Sequence, residues 1–169
     1  MAPTSTLVPV EEYLNTNYKP ACEYREGVLT QKAMPTRKHS LVQGQSCHLI
    51  LSRFPEFEPA PELTVRTSPS RYLVPDLSVQ LRSDIQDPYP TRPIHLCIEI
   101  LSPEDRLAEA AAKCNEYAEW GVPHNWVIDP EKRRAWQYHP ATGLVEVPAD
   151  GALGAGPISI SLTELFAIL

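Results

Sequence analysis

A mixed-sheet α/β (α+β) domain is the fold class that three observations in this sequence predict. Ile94–Leu101 is apolar on both faces, the pattern of a central strand. One amphipathic helix separates it from the strand Asn125–Asp129, and strand, helix, strand at this length is a right-handed parallel crossover. Alternating segments with turn residues on either side add antiparallel hairpins, so both kinds of pairing share the architecture. The 169 residues suffice for one domain with a sizeable core, read as residues 1–169 with no internal repeat and no linker.

Taken in order, Val10–Leu14 reads as a short helix, and Glu23–Leu29 as a hairpin turning at Glu26-Gly27. Met34-Pro35-Thr36 breaks the chain, and a helix follows over Lys38–Arg53. Pro55–Pro61 reads as loop, because its prolines cannot sit inside a helix. Glu62–Arg66 is a short strand, and Tyr72–Leu81 is a longer one with Asp76 in it. Ser83–Pro93 is loop. Ser102-Pro103-Glu104-Asp105 has the form of a helix start, with a Ser cap, Pro at the first position and an acid three residues on. Leu107, Ala110, Ala111, Cys114, Tyr117 and Ala118 give that helix its apolar face, and Gly121 followed by Pro123 ends it. Ala135–Tyr138 and Gly143–Val147 form a hairpin. Gly151–Pro157 reads as loop, Ile158–Ile160 as a last strand and Leu162–Leu169 as a short helix.

No stretch reaches the roughly 18 apolar residues of a membrane span. The Met-Ala-Pro-Thr-Ser-Thr start has neither a basic region nor an apolar core, which favours a cytoplasmic protein. Cys22, Cys47, Cys97 and Cys114 are scattered without a CxxC pair, so they read as inert reduced thiols rather than a zinc site or a disulfide framework. A net charge of −6 argues against tight nonspecific binding to DNA, while leaving room for a local basic rim.

The informative residues are carboxylates in apolar surroundings. Alternation puts His95, Cys97, Glu99 and Leu101 on one face of the central strand, and Leu96, Ile98 and Ile100 on the other. An ionised Glu99 there is expensive unless it is paired or binds a cation. Asp76 precedes Leu77, Val79 and Leu81, which share one face, and it goes with Ser78 and Gln80 on the other. Two carboxylates on neighbouring strands can share one divalent ion. Lys113 flanks the apolar face of the crossover helix, where a long stem could reach back over the sheet. It could equally pair with Glu109 on the helix surface. Glu23 could point into the same pocket or lie in solvent. His39 and His48 share a predicted helix, but i,i+9 is not the spacing of a metal pair, so both read as structural. His95, His124 and His139 have no ligand spacing. Lys132-Arg133-Arg134 is a solvated turn or a phosphate-contacting rim. Neither a Gly-rich phosphate loop nor a Gly-x-Ser-x-Gly elbow is present.

Several of these segments together resemble the Uma2 family of restriction-endonuclease-like proteins. They are Val74-Pro75-Asp76-Leu77-Ser78-Val79, Cys97-Ile98-Glu99-Ile100-Leu101-Ser102-Pro103, Lys113 with Tyr117-Ala118 and Gly121-Val122-Pro123, and Trp126-Val127-Ile128-Asp129-Pro130. Glu23-Tyr24-Arg25-Glu26-Gly27 and Pro35 with His39 are similar to the same family's opening. The resemblance implies the PD-(D/E)xK nuclease fold, a central mixed sheet flanked by helices. It implies Asp76 and Glu99 as ligands of Mg²⁺ (or Mn²⁺), with the Ile100 carbonyl and waters, and Lys113 as the lysine. The residue two after Glu99, where the parent pattern has lysine, is Leu101, so the lysine is relocated to the following helix. The activity implied is endonucleolytic hydrolysis of DNA, with Asp76, Glu99, Lys113 and Glu23 as candidate catalytic residues and a homodimer as a plausible assembly. The alternatives are a nucleic-acid- or protein-binding module of the same fold that does not cleave, and a purely structural Glu99–Lys113 pair.

Overall fold

The computed structural model describes residues 6–169. Met1–Ser5, within the start read above as lacking a leader, lie outside the described residues. In chain order the elements are α1 Val10–Leu14, β1 Cys22–Arg25, β2 Val28–Gln31, α2 Arg37–Arg53, β3 Phe57–Pro61, β4 Val65–Ser68, β5 Arg71–Leu73 and β6 Leu77–Leu81. Then come β7 Leu96–Ile100, α3 Leu107–Trp120, β8 His124–Asp129, β9 Arg134–His139, β10 Gly143–Glu146, β11 Ala152–Ala155, β12 Ile158–Ser161 and α4 Leu162–Phe166. Six strands form the central mixed sheet in the order β10-β9-β8-β7-β6-β3, in which β7 and β8 are the parallel pair. Four form a second sheet, β2-β1-β5-β4, and β11 and β12 make a separate hairpin.

The central sheet is covered on both faces, as the doubly apolar β7 requires. Leu96, Ile98 and Ile100 pack with Val42, Leu49 and Ile50 of α2, with Leu162, Leu165 and Phe166 at the C-terminus, and with the β11–β12 hairpin. Cys97 and Leu101 face the other way, toward Tyr117, Ala110 and Cys114 of α3. Glu99 belongs to this second face and therefore lies beneath α3. The small sheet is buttressed by α1 through Tyr13, Tyr24 and Tyr72. Among the described residues no helix is long and apolar enough to cross a membrane.

The strand expected over Tyr72–Leu81 is two strands in two different sheets. β5 ends at Leu73 and β6 starts at Leu77, with Val74-Pro75-Asp76 crossing between them. Pro75 has no N–H to offer a ladder, and it restricts the residue before it, so the chain changes sheet there. Asp76 thus stands at the entrance to β6 rather than within a strand. Pro55–Pro61, expected as loop, holds β3; it pairs only with β6 at the sheet edge, where Pro59 and Pro61 remove no ladder bond from a second neighbour. Glu62 is not in a strand but turns with φ 53°, and β4 starts three residues later. Gly151–Pro157, also expected as loop, contains β11, registered against β12 from Ala152–Ser161 to Ala155–Ile158.

The crossover helix begins later than its sequence start signal. Ser102 and Asp105 do close on each other: the Ser102 N–H donates to the Asp105 carboxylate at 2.7 Å, and the Asp105 N–H to the Ser102 carbonyl at 2.9 Å. That closes a single turn, and α3 starts at Leu107 after an uncapped Arg106. Its end is as expected. The Gly121 N–H donates to the Tyr117 and Ala118 carbonyls, and the Val122 N–H also reaches Tyr117. Gly121 has φ 116°, and a Cβ there would lie 3.0 Å from Pro93. Gly121→Ala should therefore lower stability by roughly 1–2 kcal/mol. The loss would appear as a lower urea midpoint at unchanged m value, and an unshifted midpoint would refute this account of the helix end.

Candidate functional site

Four elements bring charged side chains to one cleft of about 340 Å³. β1 carries Glu23 and Arg25, which share a face because they are two residues apart. The crossing segment carries Asp76, β7 carries Glu99, and α3 presents Lys113, Glu116 and Tyr117 within one turn. Glu23, Asp76 and Glu99 are only 4%, 4% and 6% exposed.

The Lys113 ammonium is the meeting point of two of these carboxylates. It lies 2.7 Å from Glu23 Oε1 and 2.8 Å from Glu99 Oε2. It is thus not in solvent beside Glu109, the alternative that its helical spacing left open. Tyr117 donates its hydroxyl to Glu99 Oε1 at 2.7 Å. Glu23 also accepts the Val74 N–H at 3.0 Å and pairs with Arg25 at 3.0 Å, and Arg25 pairs in turn with Glu116 at 2.8 Å. β1, α3 and β7 are tied together by this alternating run of charge.

Asp76 takes a different cation. Lys32, just beyond β2, places its ammonium 2.7 Å from Asp76 Oδ1, and also reaches the Val74 carbonyl and Glu62, both at 2.9 Å. The other Asp76 oxygen, Oδ2, accepts the Ile100 N–H at 2.6 Å. Asp76 is therefore docked on the backbone next to Glu99, at the end of β7. His39 Nε2 of α2 lies 3.4 Å from Asp76 Oδ1. Among the described residues no three His, Cys, Asp or Glu side chains gather round a point that could hold a metal. The carboxylates face ammonium groups instead.

The electrostatics separate the three acids. Burial opposes the Asp76 charge, but His39, Lys32 and Lys113 outweigh it and hold its carboxyl well below the usual range. Glu23 is likewise lowered, against burial, by Lys113, the Val74 N–H and Arg25. Glu99 goes the other way. Burial, with Asp76 and Glu23 nearby, outweighs Lys113 and Lys32 and pushes its pKa up to about 7. Lys113 is held above its ordinary value, in spite of burial, by Glu99, Glu23 and Asp76. The cleft thus contains one carboxylate whose negative charge is incompletely compensated.

All four candidate catalytic residues read from the sequence, Asp76, Glu99, Lys113 and Glu23, line this cleft, as does Ile100. Sequence reasoning passed over Lys32, Arg25, Glu116 and Tyr117, and took His39 as structural. Lys32 follows an ordinary amphipathic hairpin and has no local mark. Glu116 and Tyr117 could have been found from their i+3 and i+4 spacing to Lys113. Lys132, Arg133 and Arg134 are exposed, and Arg134 pairs with Glu146 at 2.6 Å across the β9–β10 hairpin.

The chain matches the Uma2 family, described as "Putative restriction endonuclease", over residues 10–163. The chain belongs to the Uma2 family. A solved structure, described as that of "a putative nuclease belonging to DUF820" from Anabaena variabilis, is similar with a TM-score of 0.80 at 25% identity. The similarity covers 95% of this chain and 98% of the Anabaena one. No curated protein matches the chain. The Uma2 membership and the structural likeness bear out the restriction-endonuclease-like mixed sheet expected from the sequence.

Because Glu99 is raised, its protonated form is favoured by folding. Its contribution to stability is full below its ordinary value near 4.5 and is lost as pH rises through about 7. Glu23 and Asp76, being lowered, contribute in the opposite sense and lose stability as pH falls. Glu99→Gln keeps the shape of the protonated acid and leaves Lys113 paired with Glu23. In the metal-free state the variant should gain on the parent between about pH 4.5 and pH 7, by on the order of 1–3 kcal/mol, and match it below that window. Urea melts across that range check this. A variant less stable than the parent at pH 7 would mean that the Glu99–Lys113 attraction exceeds the cost of burying the charge.

Proposed function

We propose that this Uma2 protein hydrolyses phosphodiester bonds in DNA with a divalent metal ion, Mg²⁺ or Mn²⁺. The observation that carries the reading is the convergence of Asp76, Glu99, Lys113 and Glu23 on one cleft at the end of β7. Family membership supports the substrate class.

The residues fit such an ion. Lys32 already seats a positive charge on Asp76 Oδ1, and Glu99 beneath α3 carries charge that its neighbours do not fully offset. A hard ion of this kind binds one or two carboxylates and keeps several waters, so two acids and a carbonyl suffice. Asp76 and Glu99, with the Ile100 carbonyl, would hold it. When bound, the metal lowers the pKa of a water and offsets charge on the phosphate.

The chain's own groups do the rest. The Ile100 N–H and Lys32 orient the Asp76 carboxylate, and Tyr117 and Lys113 orient Glu99. Lys113 keeps its proton throughout the neutral range, so it serves as a fixed positive charge for the developing phosphorane rather than as a base. Glu23 also holds that ammonium in place, Arg25 holds Glu23, and Glu116 holds Arg25.

One observation favours a second reading, a DNA-binding module that does not cleave. Each of the three buried acids already faces an ammonium, Asp76 that of Lys32 and Glu23 and Glu99 that of Lys113, as in a site that holds its charges without a metal. Supercoiled plasmid separates the two. The nuclease reading expects nicking with Mg²⁺ or Mn²⁺, its arrest by chelator, and a loss of at least about 100-fold in Asp76→Asn. Retention of DNA without nicking, on DNA and RNA substrates alike, would move the assignment to the binding module.

A further inference from the structure

We infer that the tyrosine-lined groove behind the small sheet is a stacking subsite for an unpaired nucleobase, taken from the strand that the cleft holds. The inference rests on the DNA reading above and adds a subsite to it. Side chains of β1 alternate, so the small sheet has two unlike faces. Glu23 and Arg25 line the cleft on one face, while Cys22 and Tyr24 join Tyr13 and Tyr72 on the other. A groove of about 300 Å³ opens on this second face, with Tyr13, Tyr18 and Tyr89 in its walls.

The rings suit a further flat partner. Tyr13 stacks on Tyr24 with centroids 5.0 Å apart at 27°, and on Tyr18 at 5.9 Å and 20°. Tyr89 meets Tyr72 edge-on, at 6.0 Å and 76°. Tyr18 and Tyr89 are only half-buried, so aromatic surface stays open in the groove. Asn17 and Thr64 add hydrogen-bonding groups of the kind that meet the edge of a base. Arg66, directly across from Tyr72 on β4, holds its guanidinium 5.9 Å from that ring's centroid. Its buried Nε has no hydrogen-bond partner among the described residues. Arg66 thus gives the aromatic face a positive charge for the phosphate that accompanies a base.

Position decides which ligand the groove serves. Groove and cleft meet at one end of the small sheet, on either side of the segments that leave it. Cys22 lines the groove and Glu23 the cleft; Val74 lines the groove and Asp76 the cleft. Glu62 lines the groove, and its carboxylate pairs at 2.9 Å with Lys32, which lines the cleft. A strand with a phosphate in the cleft passes this end of the sheet. On that path Lys32 and the Gln43 amide both hold Glu62, which offsets its charge. Every base has a π face, so stacking on tyrosine tolerates any sequence, but the base must first leave its duplex. The groove therefore favours single-stranded DNA over blunt duplex.

The test reads binding, with chelator present so that no strand is cut. A thymine-flanked 2-aminopurine in a single-stranded oligonucleotide should lose fluorescence on binding the full-length protein. The single strand should also bind more tightly than a blunt duplex of the same sequence. Tyr18→Leu and Tyr89→Leu, checked by circular dichroism for an intact fold, should each lose roughly 5–150-fold in affinity for the single strand. Their affinity for the duplex should change less than about threefold. Tyr18→Phe, which keeps the ring, should bind and quench as the parent does. A single strand that binds the parent without quenching, or binds both leucine variants as tightly as the parent, would overturn the inference and leave the DNA reading intact. Failure of the parent to bind either DNA would overturn the inference, and the DNA reading with it where plasmid nicking is absent too.

Discussion

The Lys113 ammonium is the charge on which the cleft depends. Two buried carboxylates, Glu23 from the small sheet and Glu99 from the central one, meet on it within 2.8 Å. An ionised carboxylate taken out of water without a partner costs several kcal/mol. One lysine offsets two such costs at once, and it does so from α3, the element that covers this face of the central sheet. The helix is therefore located by charge as well as by Ala110, Cys114 and Tyr117 in its apolar stripe. Removing the lysine would leave Glu99 without an ammonium beside it and Glu23 with Arg25 as its paired cation.

The Val74-Pro75-Asp76 crossing depends on the same arrangement. It carries the chain from β5 in one sheet to β6 in the other, and three polar groups on the way are claimed by the site. The Val74 N–H goes to Glu23, the Val74 carbonyl to Lys32, and the Asp76 carboxylate to the Ile100 N–H. A crossing between sheets leaves backbone groups without ladder partners, and in this protein charged side chains supply them. The junction of the two sheets and the candidate site are therefore one structure.

The balance of charge in the cleft is uneven. Asp76 and Glu23 are stabilised as anions, while Glu99 is held near pH 7 by burial and by its acidic neighbours. Proteins keep groups in such settings where chemistry uses them, although ion-pair networks of structural origin also shift acids. What distinguishes this network is its position. It opens on a cleft that also holds His39 and Ile100, and the chain belongs to the Uma2 family, described as "Putative restriction endonuclease".

Much of this was legible in the sequence, because it depends on local periodicity. The alternation of Leu96–Leu101 set the two faces of β7, the Glu26-Gly27 turn set the first hairpin, and Gly121 set the end of α3. The oddity of Glu99 among apolar residues marked the site without any knowledge of its partners. Local pattern did not predict the break at Pro75 or the edge strand β3 with its prolines, because both depend on which strands become neighbours. Nor did it place the start of α3, where the Ser102–Asp105 turn closes before the helix begins. Tertiary structure alone decided that Glu99 shares Lys113 with Glu23, that Lys32 rather than Lys113 sits on Asp76, and that His39 is a cleft residue. Each of these pairings joins segments far apart in the chain, and side-chain charge acts through space, so spacing along the sequence carries no record of it.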